Sequence, residues 1–142
     1  MKAIKIVGHP ILVVSLFLLV IIEGVHFGGF YVLYLLFGLT YAAPFALTAV
    51  GGIALMVLTL NLSIQKRPVL KPILYVVGWL MLLLSYAMFF NDGKNNHRET
   101  FETTVPIISF LLFGISSLCF LINMLQMIVN NNGKIHEELR AV

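Results

Sequence analysis

Charged side chains are scarce in this chain: Asp, Glu, Lys and Arg make up 11% of its 142 residues, whereas 60% are hydrophobic. A soluble domain usually carries about 25% charged residues, and so few charges could not cover the surface of a water-soluble globule. Intrinsic disorder is excluded for the opposite reason, since the chain is too apolar and too weakly charged. The composition therefore predicts one small membrane-embedded domain.

Cysteine and catalytic motifs are also scarce. Cys119 is the only cysteine, which excludes an internal disulfide. The net charge of +3 is spread over scattered basic residues, so no basic stripe could follow a nucleic-acid backbone. No phosphate loop, dinucleotide fingerprint, nucleophile elbow or zinc-protease helix occurs. We therefore predict that the lipid bilayer is a partner, that nucleic acid is not, and that the protein has no metal or cofactor and is not an enzyme.

Long apolar runs, in contrast, are abundant. A hydrocarbon core about 30 Å thick needs about 20 helical residues, and a proline is tolerated in the first turn of a helix. The runs and the prolines at 10, 44, 72 and 106 predict four membrane-spanning helices at about 10–29, 44–64, 69–90 and 104–129. The predicted fold is an all-α integral membrane four-helix bundle, with residues 1–142 forming a single transmembrane domain.

The segments between these spans differ in character. We predict a polar loop at 91–103, a helix end at Asn130–Gly133 and a polar tail at 130–142. The apolar segment 30–43 is too short to cross the core. It is predicted to be an interfacial helix with its tyrosines at headgroup depth, a re-entrant hairpin buried among the helices, or the end of an overlong first helix.

The distribution of basic residues predicts the orientation. Seven of the nine Lys and Arg residues lie on the side of the termini, whereas Lys94 and Arg98 lie on the other side. Because basic residues concentrate in cytoplasmic loops, we predict a multi-pass protein of a cytoplasmic (inner) membrane with both termini inside. The N-terminal run resembles a secretory signal but lacks a pair of small residues for cleavage, so we expect it to be retained.

Each predicted span carries a polar face. Polar side chains within a span should face other helices or a cavity, because lipid cannot satisfy them. On the fourth helix Ser109, Ser116 and Asn123 recur every seven residues, which places them on one stripe. The predicted polar seam consists of Ser15, Thr48, Thr59, Ser85, Ser109, Ser116, Asn123 and Gln126. Its two interpretations are packing between helices and a permeation path.

Glu23 and His26 are the only ionisable side chains well inside a predicted span. Three residues apart on a helix, they would be neighbours, and together with Ser15 they would share a face of the first helix. Three interpretations are open: the pair sits at the outer interface because the helix ends near Glu23, it forms a buried structural pair, or it is an intramembrane site for a proton or a ligand.

Two functions follow as hypotheses. The first is a non-enzymatic accessory or assembly component of a cytoplasmic membrane, working as a homo-oligomer or in a larger membrane complex. The second is a proton-coupled small transporter or channel subunit that uses Glu23 and His26. In size and helix count alone, four short helices with a glutamate in the first resemble the small multidrug-resistance transporters, although their glutamate is mid-helix and Glu23 is displaced outward.

Overall fold

The computed structural model describes residues 2–23, 28–61, 70–91 and 103–140, with side chains for 4–23, 28–61, 70–91 and 103–129. This part of the chain is mostly helical, which confirms the all-α prediction. In chain order the elements are α1 (Lys2–Val7), α2 (Pro10–Leu19), β1 (Ile21–Ile22), β2 (Gly29–Phe30), α3 (Tyr31–Thr40), α4 (Pro44–Asn61), α5 (Leu70–Asn91) and α6 (Thr104–Arg140).

Three of these helices are long and apolar enough to span a membrane. Within the described residues they are α4, α5 and the Thr104–Val129 part of α6. They begin at or within one residue of the predicted positions, because Pro44, Pro72 and Pro106 each fall in a first turn. The chain is therefore a small membrane protein, and among the residues that the structure describes no fourth helix reaches spanning length.

The prediction of a first helix at 10–29 is wrong. The helix ends at Leu19 and the chain becomes extended, with Ile21–Ile22 pairing antiparallel with Gly29–Phe30. The sequence after Leu19 explains the break, because a Val-Ile-Ile run favours extended backbone and the nearby glycines are poor helix formers. The alternative in which 30–43 continues the first helix is thereby excluded.

The prediction of a helix end at Asn130–Gly133 is also wrong, because α6 continues to Arg140 as one helix of 37 residues. No described glycine has a positive φ, so Gly133 does not adopt the left-handed conformation that ends many helices. A single glycine costs a helix only about 1 kcal/mol, and the following Lys134–Arg140 stretch contains good helix formers and no proline.

The segment 31–43 forms the short helix α3 and a tight turn into α4. The N–H of Ala43 donates to the carbonyl of Gly38 and that of Ala42 to Leu39, which is the Schellman pattern of helix endings. Ala42 takes the left-handed position with φ 51°. Gly38 lies where a Cβ would be 2.6 Å from the Phe45 ring and 2.9 Å from Ala46. This close turn folds α3 back onto the start of α4.

Contacts between the elements give the directions of the chain. Glu23 contacts Thr103 and Asn123 contacts Ile4, so the N-terminal segment (residues 4–23) runs antiparallel to α6. We call the end of the bundle with Glu23, Pro44, Asn91 and Thr103 the loop end, and the end with Ile4, Leu60 and Asn123 the termini end. The helices α4, α5 and α6 alternate in direction between these two ends.

Aromatic rings fill the core near the loop end. The Phe17 ring centroid is 4.6 Å from that of Tyr86 and 5.2 Å from that of Tyr31. Phe89 packs edge-on against Tyr31 at 5.3 Å, and Phe113 lies 5.6 Å from Tyr86. Both ends of α3 lie near this core, since Tyr31 packs on Phe89 and Gly38 on Phe45. Helix α3 thus packs on the core through both of its ends, and its interfacial and re-entrant interpretations both stay predictions.

Candidate functional site

The polar stripe of α6 faces the N-terminal segment and bonds to its backbone. Ser116 Oγ donates to the carbonyl of Val7 at 2.7 Å, and Asn123 Nδ2 donates to the carbonyl of Ile4 at 3.0 Å. Further towards the loop end, Ser109 Oγ accepts from the N–H of Ile21 at 3.0 Å and donates to Pro106 at 2.7 Å. The seven-residue spacing therefore produces a row of hydrogen bonds along one interface.

The N-terminal segment needs these partners because its helices are interrupted. The last carbonyls of a helix have no partner within the helix, and unsatisfied backbone groups are costly away from water. At the junction of α1 and α2, the N–H of Ile11 bonds to Nδ1 of His9, so it does not reach the carbonyl of Val7. Ser116 satisfies that carbonyl instead, and Ser109 satisfies the N–H where the chain becomes extended.

Hydroxyl groups of α3 and α5 form further hydrogen bonds, one of which reaches the last turn of α2. Tyr86 OH donates to the carbonyl of Phe17 in the last turn of α2 at 2.7 Å. Ser85 Oγ donates its one hydrogen to the carbonyl of Phe45 at 2.8 Å, so the 2.8 Å contact with Tyr31 must have the phenol as donor. Burial raises the pKa of Tyr31 well above its usual range, which keeps that phenol protonated.

Tyr31 and Tyr86 were not among the sequence-predicted site residues. Their hydroxyl groups are hidden within aromatic-rich segments, and a tyrosine in a span is equally well explained by core packing. The one signal in the sequence was the Val-Ile-Ile run after Leu19, because a helix that ends there leaves carbonyls that need donors from neighbouring elements.

Glu23 lies at the loop end, half-buried, just after the extended strand β1. It accepts a hydrogen bond from Oγ1 of Thr103, the residue before α6. The positive end of the α6 dipole favours a carboxylate at this position. Because Glu23 does not lie on a helix, the helix face that it was predicted to share with Ser15 does not exist. His26 lies outside the described residues.

The other predicted seam residues are dispersed. Thr48 and Thr59 donate to carbonyls of their own helix, those of Pro44 and Leu55. Ser15 lines a cavity of about 80 Å³ between α2 and α4, which is bordered mainly by apolar side chains. Gln126 is exposed, and it forms no described pair with Asn123.

The two ends of the site are far apart. About 20 residues of α6 separate Thr103, which contacts Glu23, from Asn123, which contacts Ile4, and this corresponds to about 30 Å. Between these ends the residues of the seam donate mainly to backbone carbonyls. Among the described residues, no three His, Cys, Asp or Glu side chains come close enough to hold a metal ion. The side chains of this arrangement thus provide hydrogen-bond partners for backbone groups.

No known family model matches the sequence, and neither the curated proteins nor the solved structures gave a similar chain.

Proposed function

We propose that the N-terminal segment forms a fourth, broken membrane crossing. Its contacts with α6 extend over about 30 Å, which matches the thickness of a hydrocarbon core. The ten residues of α2 contribute about 15 Å, and the extended residues 20–23 add about 13 Å. A crossing that is partly extended is tolerated only where protein covers it, and the polar stripe of α6 provides such cover.

With four crossings, both termini lie on one side of the membrane. The basic residues favour the cytoplasmic side for them, because seven of nine lie at the termini, in the loop between α4 and α5 or in the first turn of α5. We place the protein in a cytoplasmic membrane, with the polar loop between α5 and α6 on the opposite side and α3 at that outer interface.

We propose that the protein is a non-enzymatic accessory or assembly component of a larger membrane complex. The observation that carries this proposal is the use of the polar seam: Ser109, Ser116 and Asn123 bond to the N-terminal backbone, and Glu23 bonds to Thr103. Groups already engaged in holding the fold are poorly suited to relaying a proton or a solute. The faces left outward are apolar, as a surface for lipid or for other membrane subunits would be.

The direct test is purification of the tagged full chain from its native membranes in a mild detergent. We expect it to be recovered with fixed amounts of other membrane proteins, in a particle heavier than twice its own 15.9 kDa. Membranes without the chain should contain less of the assembled particle, and reintroducing the chain should restore it. Recovery of the chain without other proteins would contradict the proposal. It would also be contradicted if membranes without the chain contained as much of the assembled particle as wild-type membranes do.

The competing transport function predicts a measurable proton flux through Glu23. In proteoliposomes that enclose a pH-sensitive dye, we expect the wild-type protein and Glu23→Gln to give the same proton flux as protein-free liposomes. The physical reason is that Glu23 and Asn123 lie about 30 Å apart, and the hydroxyl groups of Ser109 and Ser116 between them are bonded to the backbone. Transport would be established instead if the wild-type protein gave a proton flux that Glu23→Gln abolished. The matched variant Glu99→Gln should then retain that flux.

A further inference from the structure

The face of α6 turned away from the rest of the protein carries a regular apolar pattern. Ser116 and Asn123 point towards the N-terminal segment, whereas the opposite face carries large apolar side chains that are 43% to 67% exposed. Successive members are alternately three and four residues apart over three heptads, which is about six helical turns. They are Ile108, Leu111, Ile115, Leu118, Ile122, Leu125 and Val129.

The identities within this pattern follow the rule of a two-stranded coiled coil. Written as heptads, every a position is β-branched (Ile108, Ile115, Ile122 and Val129) and every d position is leucine (Leu111, Leu118 and Leu125). In parallel coiled coils, β-branched residues at a and leucine at d favour two strands over three or four, because these shapes suit the holes of the two-stranded geometry best. A helix that faced only lipid would need apolar residues but no such alternation.

The other outward faces provide an internal comparison. The exposed row on α5 has similar spacing, but its members are Ile73, Val77, Leu80, Leu84 and Ala87, which do not alternate between β-branched residues and leucine. The exposed row on α4 contains Leu47, Val50, Ala54 and Val57, with the order of leucine and valine reversed and an alanine between them. The spacing of three and four residues is thus shared by the outward faces of α4, α5 and α6. Among these three helices, the alternation of β-branched residues with leucine occurs only on α6.

We propose that this face of α6, the zipper face (Ile108, Leu111, Ile115, Leu118, Ile122, Leu125 and Val129), binds the same face of a second copy in a parallel two-fold dimer. The uneven distribution of basic residues favours one orientation for every copy, so a two-fold axis along the membrane normal sets the two α6 helices parallel. Parallel helices are the arrangement in which β-branched residues at a and leucine at d favour a dimer. The inference stands independently of the proposed accessory role.

The exposed apolar area of the zipper face is large enough to bind a second copy of the chain. Its seven side chains leave on the order of 700 Å² of apolar surface outside the monomer, close to the roughly 800 Å² per partner that a standard interface covers. In lipid, area alone does not drive association, since acyl chains are as apolar as leucine. The stability of the dimer in lipid would come from the close packing of interlocking side chains, so the residue types at a and d matter.

The zipper face ends at Val129. The next d and a positions of the same register are Asn132 and His136, and α6 continues beyond them to Arg140. The proposed pairing is therefore confined to the apolar part of the helix from Ile108 to Val129, which extends about 33 Å and so matches a hydrocarbon core of about 30 Å.

Cysteine cross-linking of the full chain in lipid vesicles tests the dimer. In a Cys119→Ser background, we introduce one cysteine at a time at d positions (Leu111→Cys, Leu118→Cys, Leu125→Cys) or at exposed leucines of other helices (Leu58→Cys, Leu80→Cys, Leu84→Cys). In a parallel two-fold pair, equivalent d residues face each other across the axis, so oxidation should give several-fold more disulfide-linked dimer at the d positions. Equal yields in the two sets would overturn the proposal.

Energy transfer between labelled copies gives an independent measurement. Changing the three d leucines of the zipper face to alanine should reduce the transfer signal to that of monomers. The matched triple variant with Leu58, Leu80 and Leu84 changed to alanine should retain the wild-type signal, because those leucines are 51% to 61% exposed and lie off the zipper face. Both triple variants should keep the same helical content. Energy transfer that persists in the d variant would contradict the proposal.

Discussion

Gly8→Ala is expected to lower the stability of the protein by about 1–3 kcal/mol, the usual cost of overpacking a well-packed contact. A Cβ at this position would lie 2.5 Å from the backbone carbon of Cys119 and 2.5 Å from Nδ2 of Asn123. A backbone atom cannot move aside as a side chain can, so α1 and α2 must shift away from α6. That shift would break the bond from Asn123 to Ile4 as well.

The measurement is thermal unfolding in detergent, combined with hydrogen exchange of the N-terminal amides. Gly8→Ala should lower Tm and speed exchange in α1 and the start of α2. Gly114→Ala is the matched control, because no atom lies within 4 Å of its added Cβ and alanine is the better helix former. If Gly8→Ala were as stable as Gly114→Ala, the N-terminal segment would not pack on α6 as described.

Gly52→Ala should separate α4 from α5, the most extensively packed pair of helices in the bundle. Its Cβ would be 2.8 Å from the carbonyl oxygen of Gly78 and 3.0 Å from Leu82. Small residues let helix backbones approach closely in a membrane, and here the two glycines face each other across the crossing. We expect a loss of about 1–3 kcal/mol from overpacking, only partly offset by the gain of about 1 kcal/mol in helix propensity.

The adjacent glycine provides a matched control on the same turn. A Cβ on Gly51 would lie 2.7 Å from Cε of Met81, which is the free end of a flexible side chain that can rotate away. Gly51→Ala gains the same helix propensity and should be neutral or slightly stabilising. A Tm for Gly52→Ala equal to that of Gly51→Ala would show that the helices tolerate a wider crossing than the structure has.

Much of the fold is predictable from the sequence, for reasons that specific residues make plain. Pro44, Pro72 and Pro106 mark helix starts because a proline fits the first turn and little else in a helix. The apolar runs that follow them give the lengths of α4, α5 and the membrane part of α6. The seven-residue spacing of Ser109, Ser116 and Asn123 predicts a polar face on α6, although a period cannot reveal whether its partners are side chains or backbone.

The N-terminal segment is less predictable because two properties of its sequence conflict. The run from Ile11 to Ile22 is apolar enough for a spanning helix, and apolarity alone does not distinguish a helix from extended backbone. What ends α2 at Leu19 is a combination of weak local preference and distant partners, the hydroxyl groups of Ser109 and Tyr86. Partners nearly 90 and 70 residues away cannot be identified from local sequence.

The predicted helix end at Asn130–Gly133 is wrong for a different reason. Three asparagines and Gly133 are typical of a helix end, but none of them forces one. Asparagine and glycine each cost a helix only about 1 kcal/mol or less, and the helix-forming residues beyond them carry α6 to Arg140. A strong stop signal such as a proline would have been needed.

The central claim is that the N-terminal segment crosses the membrane beside α6. Single cysteines at Lys5, Asn95 and Val142 in a Cys119→Ser background, labelled in oriented vesicles with a membrane-impermeant maleimide, test it most directly. Four crossings predict that Lys5→Cys and Val142→Cys react from one side and Asn95→Cys from the other. If Lys5→Cys reacted from the same side as Asn95→Cys, only α4, α5 and α6 would cross, and the broken fourth crossing would be contradicted.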